Sequence, residues 1–448
     1  MLSAPPRLSP DLVATLPPYA SDPTRFLSLV AGQGDVVSYR FGQEERVLVS
    51  DPAVVHEVLT AWPEESRWTP ITRAAAPMLG DGLILAGAPS WRPRRLVVQR
   101  ELTYRSVRRF AEAIVANTER ALGTWLRGDG DLDLQAEIGR LTLLNLGDTV
   151  FGADFGAFAD VLLSTLRASQ VAIDAAMAGR FDETERQALD EATARLDAVV
   201  QRLVDDRTVE PTTAADLLSV LLEARESGDP VFAGSWLRDE AVMLITAGHE
   251  TTAFTTTMAL RTLAGEPETA QRLRSELAAA VARGVAPAQL ADEVPLTRQV
   301  VQEPLRLYPP LPALHRTAVA DTELGGHAIA AGTLVVVSPH VLQRDPRSWP
   351  EPERFDPDRF ATERRRELPR HAYLPFGAGA RICAGNHFAL LESALIVALA
   401  TLRLDLDARD GPPRLVDSGT ALRCAGTVPV ALRPAPAGAA PAGTGAAA

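Results

Sequence analysis

The sequence contains no lysine, since all 45 basic residues among its 448 positions are arginines. This absence excludes every mechanism that needs a lysine amine, such as Schiff-base or pyridoxal phosphate catalysis. The 57 acidic residues bring the formal net charge to −12. A chain of this charge is not expected to bind nucleic acid, because the phosphate backbone attracts basic surfaces.

Cysteine is almost as scarce, and only Cys383 and Cys424 are present. Two cysteines cannot build a disulfide framework, so a reducing cytoplasm is the expected compartment. The N-terminal segment is rich in proline and lacks a long apolar run. Neither a signal peptide nor a membrane span is therefore predicted, and we expect a soluble protein without a membrane partner.

Helical periodicity dominates the remaining chain. Apolar residues recur three and four positions apart in several segments, namely 104–127, 187–204, 236–264 and 267–283, the last of which Gly284 is expected to terminate. Strand-like runs are confined to 36–50, 323–338 and 413–433.

No proline- or glycine-rich linker divides the chain internally. The sequence therefore predicts one mainly α domain with small β-sheets over residues 1–433. Residues 434–448 are of low complexity, consisting mostly of alanine, proline and glycine. We expect this tail to be disordered because it cannot form a packed core.

The stretch FGAGARICAG at 376–385 surrounds Cys383 with small residues, and a strongly apolar helical run follows it. A helix N-terminus favours a thiolate over a thiol, and Arg381 adds positive charge nearby. Small residues also let the backbone approach a flat ligand beside the aromatic ring of Phe376. A thiolate in such a turn suits the proximal face of an iron porphyrin.

Three other interpretations of Cys383 remain at this point. It could be an inert, buried cysteine, which is the commonest fate of this residue type. It could be a nucleophile assisted by His387, although that histidine lies on the far side of the helix start. A zinc site is weakly supported, because Cys424 is far away and no second cysteine lies at ligand spacing.

This stretch resembles the haem-binding signature of the cytochrome P450 family at Phe376, Gly377, Gly379, Arg381, Cys383 and Gly385. The resemblance extends over most of the chain, from about Pro17 to Arg433. It implies the P450 fold, a triangular and mostly helical prism with small sheets at one edge. It also implies a heme b cofactor, iron protoporphyrin IX, with Cys383 as the axial ligand of the metal.

A second motif, AGHETT at 247–252, lies inside a long helical run. A helical threonine can simply bond the carbonyl one turn earlier, which would be a structural role. The resemblance implies that this helix crosses the distal face of the haem, where Gly248 leaves room for oxygen. It further implies that Glu250 delivers protons and that Thr251 stabilises the iron-bound hydroperoxide, while Thr252 is structural.

Glu303 and Arg306 are three residues apart and therefore share a helix face. A surface salt bridge would explain this pair equally well. The resemblance assigns both residues, together with Arg359, to a structural triad below the haem. Pro304 lies between the two partners and is expected to disturb the regularity of the helix without preventing the pairing.

A buried dianionic cofactor edge needs donors, and arginine forks are the most suitable. The resemblance assigns the haem carboxylates to Trp91, Arg95, Arg316 and Arg381. Arg92 and Arg94 are expected to face solvent. On the proximal side such arginines could attract an acidic ferredoxin.

The expected substrate pocket is largely apolar, which suits a bulky, apolar molecule. Its expected segments are 68–85, 155–180, 242–251 and 420–426, with Ala247, Ala313, Leu314 and Cys424 as candidate lining residues. Arg67, Arg73 and Arg180 could bind a carboxylate but are expected to face solvent.

Together these motifs predict a haem-thiolate monooxygenase that uses O2 to oxidise an apolar small molecule, preferably in natural-product biosynthesis. Electrons would come from a separate ferredoxin and its reductase, because the chain contains no flavin or iron–sulfur module. A fatty-acid or xenobiotic hydroxylase is the alternative substrate assignment. A non-catalytic haem sensor and a peroxide-driven relative are less well supported, because Glu250 and Thr251 supply a proton path that neither needs.

Overall fold

The computed structural model describes residues 3–8, 22–41, 44–62, 70–177, 181–209, 216–409, 411–417 and 421–436. Helices make up most of these residues. In chain order they are α1 Pro23–Ala31, α2 Pro52–Thr60, α3 Pro70–Leu79, α4 Trp91–Glu101, α5 Tyr104–Val107, α6 Ala111–Trp125, α7 Leu134–Leu146, α8 Ala159–Met177, α9 Glu183–Val209, α10 Leu217–Glu226, α11 Trp236–Ala264, α12 Pro267–Ala282, α13 Leu290–Glu293, α14 Pro295–Leu307, α15 Pro339–Leu342, α16 Thr362–Glu367 and α17 Asn386–Arg403.

The strands are short and form small sheets. They are β1 Val36–Phe41, β2 Glu44–Val49, β3 Asp131–Asp133, β4 Leu314–Thr317, β5 Thr322–Leu324, β6 His327–Ile329, β7 Leu334–Val337, β8 Leu404–Ala408, β9 Leu415–Asp417, β10 Leu422–Cys424 and β11 Pro429–Pro434. The largest described sheet has the order β1-β2-β7-β4, in which only the β2/β7 pair is parallel. A three-stranded sheet, β3-β11-β8, and two two-stranded sheets complete the set that the structure describes.

The mainly helical architecture with small sheets that the sequence predicts is confirmed. The helix predicted over 236–264 coincides with α11. Residues 104–127 do not form one helix, because a 3-10 turn at Arg108–Phe110 separates α5 from α6. Gly284 ends α12 as expected: its φ of +86° lets the Val285 amide donate back to the carbonyl of Ala280 at 3.1 Å.

The centre of the helical core is α17, the helix that follows the cysteine loop. Every residue from Leu391 to Leu402 is buried, as expected for a helix that is apolar on all sides. The hydroxyl of Thr256 on α11 donates to the Ser393 hydroxyl of α17 at 2.9 Å, so these two helices are joined directly.

Within the described residues, no helix combines the length and the apolar character that crossing a membrane requires. Strand β11 extends through Pro434, the first residue of the tail that the sequence predicts to be disordered. Residues 437–448 of that tail lie outside the described part of the chain.

The predicted pair on α14 is buried and bidentate. Arg306 donates from Nε to Oε2 of Glu303 at 2.7 Å and from Nη2 to Oε1 at 2.8 Å, and both side chains are fully buried. The helix continues through Pro304, so the expected irregularity does not interrupt it.

The third predicted member of the triad lies beside this pair. Arg359 approaches Oε1 of Glu303 with its Nε at 3.3 Å and donates to the carbonyl of Glu351 at 2.8 Å. The backbone amide of Asp356 donates to the same Glu303 oxygen at 2.9 Å. The Glu303 carboxylate therefore joins α14 to the segment around Arg359.

A second buried polar pair connects α7 to α17. The Asn145 side-chain amide donates to Oε1 of Glu392 at 2.8 Å, while Oδ1 of Asn145 and Oε2 of Glu392 are buried without a partner. Desolvation raises the pKa of Glu392 to about 8. A proton on Oε2 would be directed to Oδ1 in a reciprocal acid–amide pair, which accounts for both unpartnered atoms.

This pairing predicts the pH dependence of stability. The folded-state pKa of Glu392 lies above its ordinary value of 4.5, so the stability that it contributes is fully present below pH 4.5 and is lost as pH rises through about 8. Glu392→Gln keeps both hydrogen bonds and cannot ionise. Unfolding midpoints measured from about pH 5 to about pH 9 should therefore fall less steeply in the variant than in the wild type.

The residual slope in Glu392→Gln should come partly from Glu240, another buried carboxyl whose pKa desolvation raises to about 8. A slope identical to that of the wild type would show that Glu392 is not the titrating group.

Arg306→Ala should prevent recovery of folded protein. The substitution leaves the Glu303 carboxylate buried without its cation, and breaking a buried pair costs about 3–5 kcal/mol. The yield of soluble protein and its unfolding midpoint measure the effect. Arg272→Ala is the matched control, because the pair of Arg272 with Asp358 is half exposed and exposed pairs contribute about 0–1 kcal/mol. A well-folded Arg306→Ala protein would contradict this role.

Candidate functional site

The cysteine loop, residues 376–385, is a compact turn between a buried segment and α17. The Cys383 amide donates to the Phe376 carbonyl at 3.0 Å, and the Ile382 amide donates to the Gly379 carbonyl at 3.2 Å. Gly377 and Gly379 have φ values of +71° and +74°, a backbone region that favours glycine.

Gly379 also has no room for a side chain. A Cβ at this position would lie 2.2 Å from the Leu59 carbonyl oxygen of α2. Because that oxygen belongs to the backbone, it cannot rotate away as a flexible side chain would. The loop therefore packs directly against α2.

The Cys383 side chain is accessible from one side, although the surrounding protein desolvates it and raises the pKa of its thiol. The Gly385 amide and the positive charge of Arg95 act in the opposite direction, more weakly. The sequence predicts that the helix N-terminus favours a thiolate here; in the folded protein, desolvation outweighs that effect. A metal cation at the sulfur would reverse the balance, because a coordinating thiol loses its proton.

The predicted carboxylate donors come from separate elements. Arg95 of α4 is buried, and its Nε donates to the Gln99 side chain at 3.0 Å. Desolvation lowers the pKa of Arg95, and the charge of the Cys383 sulfur acts in the opposite direction, more weakly. A buried guanidinium of this kind is suited to an anionic ligand.

Arg381 lies with its guanidinium carbon 4.2 Å from the centroid of the Trp91 ring. It donates to the carbonyls of Leu83 at 3.0 Å and Ala86 at 2.7 Å, and desolvation lowers its pKa. Arg316 of β4 is half buried and donates to the His315 carbonyl at 2.9 Å.

Three observations fit a haem at this site. The Cys383 thiol is accessible inside an otherwise enclosed turn. A Cβ built on Gly385 would meet no atom within 4 Å, so the space beside this glycine is open. The buried charge of Arg95 can be balanced by a propionate. Among the described residues, no three His, Cys, Asp or Glu side chains cluster to hold a metal.

The AGHETT segment lies in α11, and both threonines bond their own helix. The Thr251 hydroxyl donates to the Ala247 carbonyl at 2.9 Å, and the Thr252 hydroxyl donates to the Gly248 carbonyl at 3.2 Å. Thr252 is buried, whereas Thr251 and Glu250 are half buried. Of these three residues, Glu250 and Thr251 are therefore partly accessible and Thr252 is not.

Gly248 has a packing role in the structure. A Cβ at this position would lie 3.2 Å from Cδ1 of Leu146 on α7, so a side chain here would press against that leucine. The next residue, His249, joins the same two helices, because its Nε2 lies 2.9 Å from the Gly139 carbonyl. Desolvation lowers the pKa of His249 to about 4, so the ring is neutral. The sequence gives no signal for this contact beyond a histidine in an apolar helix.

The segment from Asp81 to Ala86 is fixed by ionisable side chains that the sequence alone did not single out. The Leu83 amide donates to the buried Glu240 carboxyl of α11 at 3.0 Å. Arg94 is also buried and binds the Asp81 carboxylate at 2.6 Å and the Val231 carbonyl at 3.1 Å. The expectation that Arg94 faces solvent is therefore wrong, whereas Arg92 is exposed.

The candidate pocket residues do not form one group in the structure. Ala247 and Cys424 pack in the helical core, and the Cys424 sulfur lies 3.9 Å from that of Met258. Leu314 and Ala313 pack in two separate clusters near the first sheet. Burial raises the pKa of Cys424 to about 12, so its thiol stays protonated. Arg67, Arg180, Thr420 and the side chain of Arg73 lie outside the described residues.

A family model for cytochrome P450 matches residues 22–424. The chain is 32% identical over 391 residues to cyclooctat-9-en-7-ol 5-monooxygenase from Streptomyces melanosporofaciens, covering 85% of this chain and 84% of that protein. It is 28% identical over 395 residues to pentalenene oxygenase from Streptomyces avermitilis, covering 85% of each.

A crystal structure of a cytochrome P450 superposes with a TM-score of 0.83 at 24% identity, covering 97% of this chain and 100% of that one. This similarity establishes the P450 fold, as the sequence predicts.

Two glycines of the loop allow a matched test of the site. Gly379→Ala should lower the unfolding midpoint of the apoprotein, because the left-handed backbone and the contact with Leu59 each cost about 1–3 kcal/mol. Gly385→Ala meets no protein atom and keeps an ordinary φ of −87°, so apoprotein stability should not change. It should nevertheless lower haem affinity, measured by haem titration. Unchanged haem affinity in Gly385→Ala would place the haem elsewhere.

Proposed function

Because the chain belongs to the cytochrome P450 family of monooxygenases, we propose that it binds heme b through Cys383 and oxidises an apolar small molecule with O2. The accessible yet desolvated thiol of Cys383 carries this proposal. A cysteine that served only packing would be covered, and a free nucleophile would need its thiol pKa lowered instead. The accessibility and the desolvation of the Cys383 thiol both suit a sulfur that becomes a thiolate on binding iron.

A natural product is the preferred substrate class. The names of two relatives specify oxidation of cyclooctat-9-en-7-ol and of pentalenene. The apolar composition of the expected pocket segments also suits a hydrocarbon-rich molecule, which would be held by shape and apolar contact.

When bound, the haem would supply oxygen activation, which the electron-donating thiolate ligand promotes. The protein's part is to hold the sulfur at the loop and to pair the carboxylate edge with arginines. Arg95 is the strongest candidate for that pairing because its charge is buried. Arg381 is held against Trp91 and the carbonyls of Leu83 and Ala86, so it can hold a carboxylate with little loss of side-chain entropy.

Proton delivery is assigned to Glu250 and Thr251. Both are half buried, whereas Thr252 is buried. The Thr251 hydroxyl uses its proton in the bond to Ala247, so its oxygen can still accept a hydrogen bond from a water molecule or a bound group. Glu250 lies one residue earlier and can exchange protons with water.

Electrons are assigned to a separate ferredoxin and its reductase. The family model for cytochrome P450 accounts for residues 22–424. Arg92, Arg100 and Arg105 are exposed on and beside α4, the helix that also carries Arg95. An acidic partner would be attracted to these charges.

The ligand assignment is tested with Cys383→Ser. The reduced carbonyl complex of the wild type should show the red-shifted Soret band of thiolate-ligated haem, and the variant should lose both this band and turnover. Cys424→Ser should keep the band, because the Cys424 sulfur packs against Met258. An unchanged spectrum in Cys383→Ser would refute the assignment.

Thr251→Ala tests the proton path. The variant should still bind haem and substrate and should still consume reducing equivalents. Without the hydroxyl, proton delivery is no longer controlled, so hydrogen peroxide should rise and product should fall. Thr252→Ala is the matched control and should change coupling much less. Peroxide and product measured per reducing equivalent decide the matter, and equal coupling in the two variants would remove Thr251 from the mechanism.

A further inference from the structure

Two histidines from distant parts of the sequence meet at the surface. His56 lies on α2, and His371 lies five residues before the cysteine loop. Their rings face each other with Nδ1 of His56 and Nε2 of His371 3.4 Å apart, while the ring centroids are 4.6 Å apart. The ring planes are inclined by 35°, so the two rings are tilted against each other and these nitrogens approach more closely than the centroids do.

The two rings form a long hydrogen bond in this state, and the same separation suits two ligands of one metal ion. Hydrogen bonds from N–H donors are about 2.7–3.2 Å long. Two nitrogens bound to one zinc ion at about 2.0–2.1 Å and at a tetrahedral angle lie about 3.3–3.4 Å apart. The observed distance therefore equals the spacing of two imidazole ligands around a tetrahedral ion.

Each of the two nitrogens offers a lone pair in one neutral tautomer of its ring. The Thr60 hydroxyl, which lies 3.4 Å from Nδ1 of His56, donates instead to the His56 carbonyl at 2.7 Å. A metal ion would compete with a proton for these lone pairs, because ligation requires the neutral form of imidazole.

The pair borders a cavity of about 540 Å³. Asp51 and Asp345 contribute carboxylates to its walls, and Arg347 and Arg370 contribute positive charges. Arg347 is already bound to Asp345 at 2.6 Å and to Asp35 at 2.6 Å. The charges are balanced, so the cavity does not attract hard cations such as Ca²⁺. The two imidazole ligands therefore determine which metal ion binds, and imidazole suits Zn²⁺, Cu²⁺ and Ni²⁺.

His371 has a φ of +68°, a backbone conformation that is uncommon outside glycine and costs about 1–3 kcal/mol. This backbone strain is consistent with a functional role for the orientation of the His371 ring.

We propose that His56 and His371 form a binding site for a divalent transition-metal ion, with Zn²⁺ as the expected occupant and water completing its coordination shell. No third His, Cys, Asp or Glu among the described residues joins them in a ligand cluster. Binding is therefore weaker than at a four-ligand structural zinc site. The ion links α2 to the segment that leads into the cysteine loop, on the side where Gly379 contacts Leu59.

The site is tested on the haem-loaded protein after treatment with a chelator. Titration calorimetry with Zn²⁺ should show one equivalent per chain. His56→Gln and His371→Asn should each weaken binding at least tenfold; asparagine is chosen at position 371 because it tolerates a positive φ. His327→Gln, a half-buried histidine on β6 that does not border the cavity, is the control and should bind like the wild type.

Two further measurements separate this site from chance adsorption. Cu²⁺ bound to the wild type should show electron paramagnetic hyperfine coupling to two nitrogens, which each of the two ligand variants should lose. Zn²⁺ should raise the unfolding midpoint of the wild type and of His327→Gln only. The proposal is overturned if the wild type binds no Zn²⁺, or if His56→Gln and His371→Asn keep wild-type affinity. Neither readout depends on turnover, so failure here leaves the proposed enzymatic function untouched.

Discussion

The fully buried guanidinium of Arg306 is the constraint on which the site depends. A guanidinium has five N–H donors, and each must find an acceptor when water is excluded. Two donors bind Glu303, and the others bind the carbonyls of Gln343, Pro352 and Arg354. Five donors therefore pair with five acceptors. Three of these acceptors lie in the segment 343–354, which follows β7, so this segment must pack against α14. The Trp349 ring covers the cation, with its centroid 5.3 Å from the guanidinium carbon.

Gln343 extends this arrangement to the cysteine loop. Its amide nitrogen donates to the carbonyls of Leu305 and Arg306 at the end of α14, each at 3.0 Å. Its oxygen accepts the Leu374 amide at 2.8 Å, two residues before the loop begins. These buried hydrogen bonds therefore tie Leu374, and with it the start of the cysteine loop, to α14. Such buried networks are rigid when every member is satisfied.

The sequence predicts the parts of this molecule that local pattern encodes. The extent of α11, the termination of α12 at Gly284 and the turn before α17 follow from apolar spacing and glycine placement. The sequence does not predict which helix packs on which face. Leu146 packs beside Gly248, Arg94 pairs with Asp81, and Glu392 meets Asn145, and the first and last of these contacts join distant segments. Periodicity reports that a face is apolar but not what covers it, so tertiary contacts of this kind lie beyond a single sequence.

The contact between Gly379 and the Leu59 carbonyl has a consequence for recombination among related chains. α2 and the cysteine loop lie near opposite ends of the sequence. The loop nevertheless takes its shape only when the Leu59 carbonyl, near the end of α2, packs directly against Gly379. A chimaera that inherits the loop from one parent and α2 from another must preserve both the glycine and the position of that carbonyl. Crossovers that keep the two segments from one parent should yield folded chimaeras more often than crossovers that separate them.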